Sequence, residues 1–298
     1  MLRILLMAIA VLLTSCEVPR GESKVIFISA ALDYGAPESV NALDNPPEDQ
    51  RVLSEQIEAL AEASGDVYEE YLFLEKNGTR TLNGVEMNWN HDDIIRVLYA
   101  IDTISSDLII FHYSGHGDDD GNLVTDIDTE YRLSPALLLE TMENIDGKKC
   151  IFLDSCFSGK FVEEIGYMHE GEVYKNGMLS SENLINALGP SLAISISGGN
   201  SRENGIWVLS AASESQSSFD KWESGEVRQE DFGAFSYYLA TALGYDMEED
   251  RPSLPPEGSR ITFYSLFQEI KEEMDKELWM RATPQKTLSE YDIELFTI

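Results

Sequence analysis

A chain of 298 residues with 43% apolar side chains can build one large domain or two small ones. Its 21 Lys and Arg face 54 Asp and Glu, a net charge of −33, so phosphates would be repelled over most of the surface and nucleic acid is excluded as a partner class. The same acidity suits a well-hydrated body with a preference for basic ligands, and most of these carboxylates read as solvated surface.

The first sixteen residues have a different composition. Met1–Ser15 carries one charged side chain, Arg3. Its apolar run Ile4–Leu13 is too short for a ~30 Å hydrocarbon core and suits the h-region of a secretion signal. The run ends in Leu13-Thr14-Ser15-Cys16, which resembles a bacterial lipobox. That resemblance implies a lipoprotein signal peptide over residues 1–16, cut before Cys16, and acylation of that cysteine. The product would be exported and membrane-anchored on the periplasmic or cell-surface side, since two or more acyl chains hold stably where one does not. The alternative is an ordinary signal peptide whose cysteine is incidental. Residues 17–23 follow as a polar tether.

From there, apolar strand-like runs alternate with helical spacing. Val25–Ala30 reads as a strand, followed by a loop rich in Gly, Pro and Asn through Pro47. Asp49–Ala63 repeats apolar residues at helical spacing (Val52, Leu53, Ile57, Leu60, Ala61). Tyr68–Leu74 reads as a strand, Asp92–Ile104 as a helix and Leu108–Tyr113 as a continuous apolar strand. Ser134 as N-cap with Pro135 at the first helical position predicts a helix to Asn144. Lys149–Leu153 and Ile206–Ala211 read as buried strands, Gly233–Leu243 and Phe263–Met274 as helices. The acid- and proline-rich stretch Glu248–Gly258 suggests a main domain over 24–245 and a C-terminal extension over 246–298 packed on it. This alternation predicts an α/β fold, a mostly parallel central sheet with helices on both faces.

Open α/β sheets carry their chemistry just outside the carboxyl ends of their strands. Leu108–Tyr113 runs into Ser114-Gly115-His116-Gly117, and Lys149–Leu153 runs into Asp154-Ser155-Cys156-Phe157-Ser158-Gly159. If the two strands are parallel neighbours, His116 and Cys156 share one rim. A thiol is a weak nucleophile until a nearby base or positive charge ionises it, and His116 can be that base. The N–H groups of Gly117 and Cys156 could then hold the oxyanion of a tetrahedral intermediate. A lone histidine or cysteine at a strand end is usually structural. The pair, each flanked by small residues, points to a catalytic dyad. Cys150 lies inside an apolar run and reads as core, and with only Cys16, Cys150 and Cys156 no disulfide framework can be read. His112 and His116 are four apart, but a strand running into Ser-Gly cannot set them on one helical face, so no zinc site is expected there.

Tyr113-Ser114-Gly115-His116-Gly117 and Asp154–Gly159 resemble the two catalytic motifs of metacaspases, cysteine peptidases of the caspase/metacaspase type. Phe157 stands where that family usually has a histidine. Asn41–Leu53, Leu209–Ala212 and Gly233–Leu239 resemble further family segments, and the likeness covers about residues 24–245. The resemblance implies a caspase-like three-layer sandwich and an endopeptidase acting on protein or peptide substrates after Arg or Lys. It places the acidic pocket for that side chain at Asp49, Ser114 and Asp154, and fixed carboxylates do suit a guanidinium. The other readings are a carboxylate capping N–H groups at a strand end for Asp154 and an ordinary helix-start acid for Asp49. An Asp-specific pocket would need arginines that neither motif supplies. A catalytically silent caspase-like binding module and another thiol hydrolase using the same dyad are the competing functions.

The dyad requires no cofactor. Asp118, Asp119, Asp120, Asp126 and Asp128 are dense enough to serve Ca2+, an ion that takes six to eight oxygens; the other reading is a solvated acidic hairpin. Phe161–Gly205 sits where caspase relatives carry the linker between their two portions. Within it Arg202 and Lys175 are the candidates for self-cleavage, and a long uncut loop is the alternative.

Overall fold

Strand β1 (Lys24–Leu32) is apolar at nearly every position because helices cover both faces of the sheet it centres. The computed structural model describes residues 22–35, 42–126, 132–162, 194–195, 205–213, 222–224, 227–229, 232–277, 284–286, 288–289 and 292–298. The expectations at Cys16, Asp128, Lys175 and Arg202 lie outside the described residues, as does the signal segment.

Seven further strands join β1 in one sheet: β2 (Val67–Lys76), β3 (Thr79–Leu82), β4 (Val85–Glu86), β5 (Leu108–Ser114), β6 (Lys148–Asp154), β7 (Ile206–Ser210) and β8 (Gln285–Lys286). Their spatial order is β8-β7-β6-β5-β1-β2-β3-β4. The five central strands run parallel, and β8, β3 and β4 add antiparallel edges. Side chains alternate strictly between the two faces. Phe27, Ile110 and Phe152 pack against helices α1 (Pro46–Ser64), α4 (Ala234–Leu243) and α5 (Phe263–Glu277). Ile28, Ile109 and Ile151 pack against α2 (His91–Ala100) and α3 (Pro135–Glu143). The α/β class, the mostly parallel sheet and its two helical layers are as the sequence predicts.

Local chemistry explains most boundaries. Ser134 caps α3 by accepting the Leu137 N–H at 3.3 Å, with Pro135 in the first turn. α2 ends at Ala100 rather than Ile104. Ile101 is already extended (φ −65°, ψ 135°), and the Asp107 carboxylate takes the Ile104 N–H at 2.8 Å, so the chain has left the helix to enter β5. The β2–β3–β4 meander is an addition to the predicted elements. Its two turns are Asn77-Gly78 and Asn83-Gly84, with φ of 53° and 75°, then 48° and 76°. Asn-Gly at two-residue spacing is the signal for such hairpins, and it was present in the sequence.

The segment after residue 245 packs into the core of the preceding residues. Phe263, Leu266, Ile270, Leu295 and Phe296 belong to the same apolar cluster as Phe27, Val52 and Phe235. Arg260–Thr262 pairs antiparallel with Glu294–Thr297, and β8 extends the central sheet. Among the described residues no helix is long and apolar enough to cross a membrane.

Phe296→Ala should therefore cost ~3–5 kcal/mol of stability, measured by urea unfolding; an unchanged midpoint would mean the C-terminal segment is an appendage. A second expectation concerns His112, wholly buried on β5 with Nδ1 2.9 Å from Ser29 Oγ. Burial lowers its pKa to about 3, whereas the unfolded chain protonates near ~6.5. The unfolded state thus binds the proton first, and stability is lost as pH falls from the higher value to the lower, by up to about 1.4 kcal/mol per pH unit. The stability advantage of the wild type over His112→Asn should shrink on that slope in unfolding series from about pH 7 to about pH 4. Parallel profiles would show that His112 titrates normally.

Candidate active site

β5 and β6 are parallel neighbours with Ser114 opposite Asp154. The two motif loops therefore leave the sheet at the same height and on the same edge. The His116 backbone is pinned on both sides. Its N–H donates to the Tyr34 hydroxyl at 2.7 Å, and its carbonyl accepts from Val124 N at 3.0 Å and the Tyr113 hydroxyl at 2.8 Å. Tyr34 in turn donates to the Val124 carbonyl at 2.7 Å and lies 2.8 Å from the Tyr113 hydroxyl. Burial raises the pKa of both tyrosines, which keeps them protonated. The Tyr34 ring also covers the imidazole, centroid to centroid 4.5 Å with a 30° tilt. Tyr34 was not singled out in the sequence. It follows β1, far from either motif, in the left-handed region (φ 58°) beside Gly35 (φ 101°).

Cys156 follows β6 and is half-buried, whereas Cys150 is fully enclosed and burial raises its thiol pKa. Cys150 is the core residue its position predicts. Phe157, directly after Cys156, has φ 55°. That conformation strains a bulky side chain, typically by ~1–3 kcal/mol, and the structure around it holds it there: Lys160 N and Phe161 N donate to the carbonyls of Phe157 and Ser158, both at 3.1 Å. Gly117 closes the two loops together. A Cβ on it would collide with the Cys156 carbonyl oxygen, and its position lies 3.3 Å from Cys156 N. The backbones expected to supply the oxyanion N–H groups are thus in contact.

His116 and Cys156 line a cleft, partly open to solvent, whose other walls include Asp49, Ser114, Asp154 and Gly233. The site residues expected from the two motifs and from the start of α1 are therefore all together. Asp49 Oδ2 accepts the Ser114 hydroxyl at 2.7 Å and Oδ1 accepts Gly233 N–H at 2.9 Å. Asp154 Oδ2 accepts Ser236 N–H at 3.0 Å and its hydroxyl at 2.9 Å. Asp49 is 0% exposed and Asp154 5%. Gly233 and Ser236 start α4, where unpaired N–H groups and the helix dipole favour negative charge. Gly233 supplies no side-chain cap to α4, so Asp154 caps it from β6. Asp154 does cap N–H groups, but those of a distant helix, while still facing the cleft. Asp49 is too deeply buried to be an ordinary helix-start acid. Two carboxylates held so close in a low-dielectric wall favour a cation between them. The described residues lining the cleft include no Lys or Arg.

The acidic run after His116 is arranged otherwise. The Asp118 carboxylate accepts Asp120 N–H at 3.1 Å and Asn122 N–H at 2.9 Å, closing a turn, and faces Arg132 Nε at 3.8 Å. Asp119 and Asp120 are exposed and Asp126 is half-buried. Among the described residues no three His, Cys, Asp or Glu side chains converge as a metal site. His112 is buried within β5, where its ring stacks on Phe27 and Nδ1 lies 2.9 Å from Ser29 Oγ.

Caspase-1 from Spodoptera frugiperda is similar at 12% identity and a TM-score of 0.48, over 93% of this chain and 92% of that one. Raptor from Chaetomium thermophilum is similar at 14% identity and a TM-score of 0.39, over 76% of this chain and 18% of that one. No curated protein matches the chain. A family profile described as "Caspase domain" matches residues 59–292, which take in β5, β6, α4 and α5 with His116, Cys156 and Asp154. The chain belongs to the caspase domain family, whose members are cysteine peptidases.

Proposed function

We propose that this protein is a cysteine endopeptidase that cleaves peptide bonds after Arg or Lys. The observation that carries the specificity is the pair of buried carboxylates, Asp49 and Asp154, in the same cleft as Cys156. A substrate guanidinium or ammonium supplies the positive charge that this wall favours, and the planar fork of Arg fits carboxylates best. His116 takes the Cys156 thiol proton, and the thiolate attacks the substrate carbonyl. The oxyanion then lies against the N–H groups of Gly117 and Cys156. His116 returns the proton to the leaving amine, and water hydrolyses the thioester. This chemistry uses no cofactor; Ca2+ enters the proposal only as a ligand of the acidic run after His116. Arg202 and Lys175, between β6 and β7, are the bonds such a specificity would cut in its own chain. The Leu13–Cys16 sequence supports a protein exported and held on a membrane by an acylated Cys16.

Hydrolysis of short fluorogenic peptides ending in Arg, Lys, Asp or a neutral residue tests this reading. Arg should be preferred, and Cys156→Ala should abolish turnover with the fold intact; a preference for Asp would overturn the specificity. Asp154→Asn retains an acceptor for Ser236 but removes one pocket charge, worth ~2–5 kcal/mol when one partner of such a pair is lost. kcat/KM for Arg peptides should then fall by roughly 30-fold or more, and neutral peptides should be affected far less. Equal losses would make Asp154 a support of the Cys156 loop. Gly117→Ala should slow alkylation of Cys156 by iodoacetamide, because the added methyl drives the two loops apart; an unchanged rate would show that their contact is not needed.

A further inference from the structure

Arg80 lies on β3 opposite Glu75 of β2, and its guanidinium reaches three acceptors far apart in the chain. Nε and Nη2 both lie 2.7 Å from Glu75 Oε2. Nη1 donates to the Trp89 carbonyl at 2.7 Å and Nη2 to the Thr125 carbonyl at 2.9 Å. The group also sits over the Trp89 ring, 5.0 Å from its centroid. The Arg80 and Glu75 side chains are only 14% and 8% exposed. An ion pair so enclosed adds little net stability, because desolvation offsets most of the attraction. Its geometry is the informative part: the planar fork of arginine fixes several acceptors at once, which a lysine ammonium on a flexible stem does not. Thr125 ends the segment that backs the His116 loop. Leu123 bridges Gly117, and Val124 N–H donates to the His116 carbonyl at 3.0 Å. The Val124 carbonyl accepts the hydroxyls of Tyr34 and Tyr113, at 2.7 and 3.0 Å. The β2–β3 hairpin also grips the other side of this loop. Asp33 accepts the Asn77 N–H at 2.5 Å and the Gly35 N–H at 3.1 Å, and so ties the hairpin turn to the residues flanking Tyr34, whose ring covers the imidazole.

We propose that Arg80 is a positioning residue of His116: through the Thr125 carbonyl it fixes the segment on which the His116 backbone rests, and so the place of the imidazole relative to the Cys156 thiol. This rests on His116 and Cys156 being the catalytic dyad proposed above. Arg80 does not line the cleft and acts through this segment. A charge buried in the hairpin thereby serves the geometry of a loop three strands away in the sheet.

The test follows alkylation of Cys156 by iodoacetamide, read by mass spectrometry, together with peptide hydrolysis, in variants shown to be folded by urea unfolding. Arg80→Met combined with Glu75→Gln releases Thr125 without leaving a lone buried charge, which guards the fold. Glu75→Gln alone keeps the Arg80 bonds to Trp89 and Thr125. The double variant should alkylate about 10-fold or more slowly than wild type, with kcat on the best peptide falling likewise and KM nearly unchanged. Glu75→Gln alone should stay near the wild-type rate. Arg80→Lys, which keeps a charge beside Glu75, should slow alkylation by a smaller factor. In a His116→Ala background the double change should make no further difference, since a residue acting through His116 has nothing left to act on. Alkylation at the wild-type rate in the folded double variant would overturn the inference. Equal slowing by Glu75→Gln alone, or the same slowing without His116, would also overturn it, making the ion pair a general support of the fold. If His116→Ala itself leaves alkylation unchanged, the dyad fails and this inference with it. The expected alkylation pattern in a protein that does not cleave after Arg or Lys would overturn the proposed specificity and leave this inference standing.

Discussion

Two buried carboxylates that must stay close to one another shape this molecule around its cleft. Asp49 comes from α1 and Asp154 from the end of β6, and both are tied to the first turn of α4. Carboxylates with so little exposure are tolerable only where donors replace their lost water. The N-terminus of α4 supplies backbone N–H groups and a favourable dipole, and Ser114 and Ser236 supply hydroxyls. Four elements are thereby locked at one point, which is also a wall of the cleft beside Cys156. The atoms that anchor the start of α4 thus also line the cleft.

His116 and Cys156 are brought together by a different means, close approach of backbone. Parallel pairing of β5 and β6 brings the loops level, and Gly117 lets them touch. Phe157, directly after Cys156, stays in a conformation that its side chain disfavours. Tyr34 and Tyr113 tie the His116 loop to the chain around Val124 through hydroxyls that burial keeps protonated. In the interior just below, His112 is kept neutral by the same burial. Two histidines four residues apart thus have unrelated roles, because one lies within the strand and the other just past its end.

Much of the scaffold could be read residue by residue. Continuous apolar runs such as Leu108–Tyr113 and Lys149–Leu153 announce strands buried on both faces, and Ser134-Pro135 announces a helix start. The Asn77-Gly78 and Asn83-Gly84 turns carry their hairpin signal equally openly. The end of α2 could not be found locally, since Ile104 leaves the helix for a side chain on the far side of a turn, Asp107. Nor could the unity of the core across residue 245: Pro- and acid-rich composition marks a surface loop whether or not the chain returns to the same core afterwards.

What the sequence determined by itself was the chemistry available and its place in the chain: a histidine and a cysteine, each past an apolar run, an acid at a strand end and another near a helix start, and an α/β order. Backbone periodicity and side-chain type are local properties, so they survive without the fold. Tertiary structure alone decided which groups meet. Tyr34 covers His116, Asp154 caps a helix that begins 80 residues later, and the Gly233 N–H holds a carboxylate from α1. Each depends on distances between segments remote in the chain, set by sheet order and helix packing, and no pattern within either segment encodes a distance to the other.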